Sequence, residues 1–211
     1  MAYPDLSDLQ SRVRDRLNEA TASFFSTTQI TAWINDGEND IALKGLCLES
    51  IQSKSTTSTV RTVAVTCIKV HHVEYIPTGT NVGLIKINPL QIGRAIDDTV
   101  TTPQCWFQWG QAIGIDPVPD DTYALKIYTS IHSITGLSEA TDEPAIPPEF
   151  IPLIIDFAVY RGLLRDNQYA KAAEIYVPYI NKLKQVRNRV LERYSNIRKD
   201  MSIPNTIVYK V

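Results

Sequence analysis

Two adjacent histidines, His71 and His72, and three aspartates in one turn, Asp116, Asp120 and Asp121, are the places where this chain could hold a metal or move a proton. Neither pattern suits that chemistry. Neighbouring residues on a strand point to opposite faces, so one ion cannot readily take both imidazoles. His132 has no cysteine or carboxylate at ligand spacing. The aspartates lack the alternating acids, central glycine and terminal glutamate of a calcium loop, and Pro117 and Pro119 stiffen the segment. Turn chemistry is the stronger reading than paired carboxylates for hydrolysis. An acidic surface lining a channel is a further reading, because like charge keeps a polyanion from adhering. Trp106, Phe107 and Trp109 could stack on bases, but stacking platforms come with cations and this neighbourhood is acidic, which favours packing in a core or subunit interface. With no phosphate-binding glycine loop, serine elbow or zinc-protease pattern, the expectation is a non-enzymatic protein without cofactor or metal.

Charge is distributed unevenly. The 211 residues sum to −2, which gives no global reason to expect nucleic-acid binding. Residues 97–150 hold nine acids against Lys126 alone, whereas residues 161–200 hold ten Lys or Arg against four acids. The basic stretch includes Lys182, Lys184, Arg187, Arg189, Arg193, Arg198 and Lys199. It reads as a solvated face with inter-subunit ion pairs, as an electrostatic contact to a partner, or as a nucleic-acid-binding face. Three widely spaced cysteines, Cys47, Cys67 and Cys105, make neither a disulfide framework nor a metal motif. The N-terminus lacks a basic region followed by an apolar run, and no apolar stretch is long enough to span a bilayer, so the expectation is a protein neither exported nor anchored by its own signals.

The elements that must position these residues change type along the chain. Ser7 and Gln10 have capping-box spacing, and Leu9, Val13 and Leu17 recur at helical spacing, predicting a first helix over about 7–20. A second cap at Ser26 or Thr27 and the stripe Ile30, Trp33, Ile34 and Ile41 predict a helix to about Lys44, with Gly45 as its stop. Residues 52–59 are small and polar and read as a linker or loop tip. From Val60 to Ile76 the pattern becomes β-branched and aromatic, and Leu84 to Ile87 suggests another short strand. Residues 89–98 read as a loop or a single helical turn. Trp109-Gly110 is the natural reversal of a hairpin, and Thr122 to His132 resumes a strand. A helix is predicted over about 148–165 and a longer one over about 168–198, which Pro178 should kink. The expected architecture is α+β: a helical bundle built from both termini (1–58 and 137–199), an inserted small antiparallel β-sandwich or barrel (59–136), and an extended tail (200–211). The tail carries Ile203, Pro204, Ile207, Val208 and Tyr209, and both simple disorder and strand addition to a partner fit it.

In order, these parts resemble the head-to-tail adaptor (connector) proteins of tailed bacteriophages. The residues that carry the resemblance are the opening helix Leu6 to Ala20, the segment Ile30-Thr31-Ala32-Trp33-Ile34-Asn35-Asp36-Gly37, and Val73-Glu74-Tyr75-Ile76-Pro77. Pro103-Gln104, Ile115-Asp116-Pro117-Val118-Pro119 and the helix Ile146 to Leu164 complete the set, which spans about residues 5–195 and departs from the pattern over residues 78–98. The resemblance implies a ring of twelve copies under the portal, with the helical part against the portal, the β part facing the tail, and DNA passing through without specific binding. It implies a virion protein of the neck, assembled in the host cytoplasm and touching no membrane. The portal contact is expected on Arg187, Arg189, Arg193, Arg198, Lys199 and the tail residues Ile203, Pro204, Ile207, Val208 and Tyr209. Asp116, Asp120 and Asp121 are expected to face the channel or a downstream tail protein. The competing expectation is a nucleic-acid-binding module that uses the basic last helix.

Overall fold

The computed structural model describes residues 3–19, 24–77, 79–88, 100–132 and 135–200, with 195–200 as backbone alone. The expected tail residues Ile203, Pro204, Ile207, Val208 and Tyr209 and the whole 89–98 segment lie outside these residues; the first helix, expected to run to about 20, stops at Arg16, with Asn18 in the left-handed conformation (φ 55°).

Helix α1 (Leu6–Arg16) begins earlier than its Ser7 spacing suggested. Asp5, in an extended conformation, accepts the Asp8 backbone N–H at 2.8 Å, so Ser7 already sits inside the first turn and the Ser7–Gln10 box is not the cap. Helix α2 (Thr27–Gly45) does open on the expected box: Ser26 Oγ accepts from Gln29 N, and Gln29 Oε1 accepts from Ser26 N, each at 3.2 Å. Its stop differs. Leu46 takes the left-handed conformation (φ 57°), and Gly45 is instead the last helical residue, where an added Cβ would lie 3.3 Å from both Leu183 and Val186. Close approach, not chain reversal, is what glycine supplies there.

Strand β1 (Glu49–Ser55) pairs antiparallel with β10 (Ala124–Ser130) from Glu49↔Ser130 to Ser55↔Ala124. Residues 52–55, polar enough to read as linker, are therefore strand; β1 is an edge strand with most side chains in solvent, so it needs no apolar face. Beyond β10 lie β3 (Lys69–Ile76) and β4 (Val82–Gly83), completing one four-stranded sheet. A second sheet runs β2 (Thr62–Ala64), β8 (Ala112–Asp116), β7 (Cys105–Trp109), β5 (Ile85–Lys86). The β7–β8 hairpin reverses at Gly110, whose φ of 58° suits glycine. The expectation of purely antiparallel pairing fails twice: β5 runs parallel to β7, and β6 (Val100–Thr101) runs parallel to β9 (Val118–Pro119). None of the described sheets closes into a barrel.

A 3-10 turn (Pro148–Phe150) leads into α3 (Ile151–Arg165), and α4 (Tyr169–Asp200) follows as one helix through Pro178. The apolar side chains gather into two cores. Leu9, Ile34, Ile41, Ile154, Ala158 and Tyr179 belong to the helical one. Val70, Val73, Leu125 and Ile127 of the first sheet and Val63, Trp106, Ile113 and Ile115 of the second share the other. The protein is thus mixed α+β, with the basic α4 packed on α2 and α3.

Candidate interaction surface

The two layers meet at His71. The β3–β10 register shifts between Tyr128 and Thr129, a bulge that lets Val70 and His71 both turn inward. Ser130 Oγ donates to the Leu46 carbonyl at the end of α2 (2.8 Å), and His71 Nε2 lies 2.6 Å from the same oxygen. One hydroxyl has one hydrogen, so Nε2–H must donate to Oγ, which assigns the tautomer and leaves Nδ1 bare. The imidazole also stacks on Tyr194 of α4, centroids 4.0 Å apart and planes 10° apart. Strand, sheet end, helix cap and last helix are joined through one ring. As strand alternation predicts, His72 points elsewhere, towards Tyr128 and Glu74.

Burial, reinforced by Lys69, Lys86 and Arg193, pushes the His71 pKa from 6.5 down to about 4. Glu49 faces the same region from β1 and pairs with Arg193 at 3.4 Å, and burial with Glu49 pushes Tyr194 up to about 12. Because the unfolded chain binds the proton more tightly, stability is full above about pH 6.5 and falls as pH drops towards 4, by about 2–3 kcal/mol. Urea unfolding between pH 7 and 4 should show a steeper loss in the wild type than in His71→Gln. Parallel profiles for the two proteins would refute this.

The three aspartates do not converge. Asp116 Oδ1 accepts from Arg61 at 2.8 Å in a half-buried ion pair. Asp120 accepts the Tyr123 hydroxyl at 2.8 Å, and Asp121 accepts the Thr122 N–H at 2.7 Å. The Asp120 and Asp121 carbonyls take the hydroxyls of Ser58 and Thr56, so the acids shape the turn, as their prolines suggested. Among the described residues, no three His, Cys, Asp or Glu side chains are placed to hold a metal ion. Cys47, Cys67 and Cys105 are free thiols. Trp106 is buried in the β core, whereas Trp109 stands 70% exposed on the hairpin turn.

The basic residues of α4 are displayed rather than packed. Arg187 and Arg189 are exposed, and Arg193 is largely exposed despite its pair with Glu49, a contact worth at most about 1 kcal/mol. Arg198 and Lys199 lie on the last turns of the same helix. Sequence reasoning missed Glu38, buried in α2 with its Oε1 accepting the Ala145 N–H at 2.6 Å; burial raises its pKa. It also missed Asn35, whose amide pins Leu137 by two backbone bonds of 2.9 and 3.0 Å. Asn35 and Glu38 together hold the 137–146 connection on α2. An acid near a helical stripe was the only local signal.

No described helix is long and apolar enough to cross a membrane. A search of curated proteins finds no significant match. The family model described as SU10 adaptor protein matches residues 4–200, taking in both helical ends, all three described sheets and all of α4. By that match the chain belongs to the SU10 adaptor protein family, a family of phage head-to-tail adaptors.

Proposed function

We propose that the protein is a non-enzymatic neck component of the virion: twelve copies close a ring beneath the portal, extend the DNA channel and present a platform to the next tail protein. The match to the adaptor family over residues 4–200 carries this reading. The helical ends act as a bundle that docks on the portal, and the two sheets act as a sandwich facing the tail. Exposed Arg189, the end of α4 with Arg198 and Lys199, and the tail residues Ile203, Pro204, Ile207, Val208 and Tyr209 make the portal contact. Exposed Asp120 and Asp121 suit a channel or tail-facing surface, whereas Asp116 is committed to Arg61. The copies assemble in the host cytoplasm. Negative-stain imaging of the purified protein with and without portal should show rings; a folded protein that forms neither ring nor portal complex would refute the proposal.

A second reading, a nucleic-acid-binding module, is favoured by the exposure of Arg187 and Arg189, neither in an ion pair among the described residues. It requires a salt-dependent shift of labelled DNA that disappears when Arg187, Arg189 and Arg193 are replaced by Ala. Absence of binding at low salt removes it.

A further inference from the structure

Lys69 opens β3 opposite Ser130, at the sheet end where His71 stacks on Tyr194. Arg187 precedes Tyr194 by seven residues, two turns along the same face of α4, the face that meets this sheet end through the His71–Tyr194 stack. No acid pairs with either cation among the described residues; Glu49, the acid at this sheet end, is taken by Arg193. Burial, and then the charge of Arg187, lower the Lys69 pKa, so half-buried Lys69 and exposed Arg187 contribute to one electropositive surface at this sheet end. Such a surface is complementary to an incoming anion.

The same chain carries a matching anion already shaped. Asp142 folds the loop before α3 by accepting the N–H groups of Ser138 and Glu139, each at 2.8 Å, and those bonds depress its own pKa. The Asp142 and Ala140 carbonyls accept from Leu6 and Ser7 at the start of α1, and Asn35 pins Leu137. Glu139 and Glu143 are left exposed on this braced loop, in no ion pair among the described residues.

We propose that Lys69 and Arg187 receive the Glu139–Glu143 loop of a second copy of this chain, making a head-to-tail contact between neighbouring subunits. This rests on the ring reading above and assigns its subunit interface. Because donor and acceptor surfaces differ, each copy gives one and receives one, the arrangement that closes a ring when the rotation allows. An acidic peptide surface fits better than nucleic acid: the whole chain is at −2, and the aromatic ring beside these cations, Tyr194, is already occupied by His71.

The test uses the full chain with portal, imaged and sedimented at low and high salt, with thermal melts as a control for folding. Lys69→Glu with Arg187→Glu should raise the concentration needed for ring assembly at least roughly tenfold, and adding Glu139→Lys with Glu143→Lys should restore assembly towards the wild-type level. High salt should weaken the wild-type ring. Assembly of the double variant at wild-type concentrations overturns the proposal and leaves the ring reading standing. If the wild type forms no ring, both fall. If the double variant assembles normally but loses a DNA shift that the wild type shows, the cations belong to nucleic acid and the proposal is overturned.

Discussion

Trp106→Ala should destabilise the protein by about 3–5 kcal/mol, the range for emptying a large aromatic from a packed core. Trp106 is 1% exposed, pairs across the hairpin with Ile115, and lies beneath Lys86, whose ammonium sits 4.9 Å from its ring centroid. It is the largest side chain in a core shared by two paired sheets, whose hydrogen-bonded strands leave neighbouring residues little freedom to close the cavity. A conservative change separates shape from polarity. The Trp106 Nε1–H is buried with no hydrogen-bond partner among the described residues, so Trp106→Phe removes an unpaired donor while keeping most of the ring, and should cost far less. Urea unfolding followed by far-UV circular dichroism measures both. The helical core shares no residue with this one, so near-UV signals from the β part should be lost first in the alanine variant. A loss under about 1 kcal/mol for Trp106→Ala would show that the β core does not depend on this ring.

The helices were legible because their cores repeat at local spacing: Leu9 and Val13 in α1, and Ile30, Trp33, Ile34 and Ile41 in α2, are all buried. The Ser26–Gln29 box and the Gly110 reversal were legible for the same reason, since each is decided within four residues. The Asp5 cap was hidden by a nearby sequence with equally good spacing. β1 was hidden by its edge position, where only alternate residues are half-buried and Glu-Ser-Ile-Gln-Ser-Lys-Ser looks like loop. The two-residue strands β5 and β6 are too short to show any period, so their parallel pairings had no sequence signature. For the interaction surface, residue types were visible and their partners were not. His71 and Ser130 are separated by 59 positions, and Ser130 and Leu46 by 84, and nothing in the intervening pattern marks them as neighbours. Adjacent histidines signalled what the pair could not do. What His71 does do, as a joint among β3, β10, α2 and α4, follows only from the bulge that turns it inward.

Deletion of residues 201–211 should leave a folded protein that binds portal poorly, with affinity reduced by at least roughly a hundredfold. Folding should survive because, among the described side chains, the last member of the helical core is Val186 and the last buried one on α4 is Val190, both well upstream of the cut. The deleted segment carries Ile203, Ile207, Val208 and Tyr209, and Ile207, Tyr209 and Val211 alternate as the face of an added strand would. Main-chain pairing along such a segment, with apolar side chains entering alternate pockets, supplies affinity that the exposed cations of α4 alone do not, since salt screens them. Melting temperature and circular dichroism of the truncated protein check the first half of the expectation. Titration of labelled portal, at low and high salt, checks the second: binding that remains should be weak and salt-sensitive, carried by the basic helix. A truncated protein that binds portal as the full chain does would place the contact elsewhere on the helical layer and refute the tail's role. Substituting Ile207→Asp and Tyr209→Asp in the full-length chain distinguishes lost pairing from lost length, because the segment is kept while its apolar face is removed.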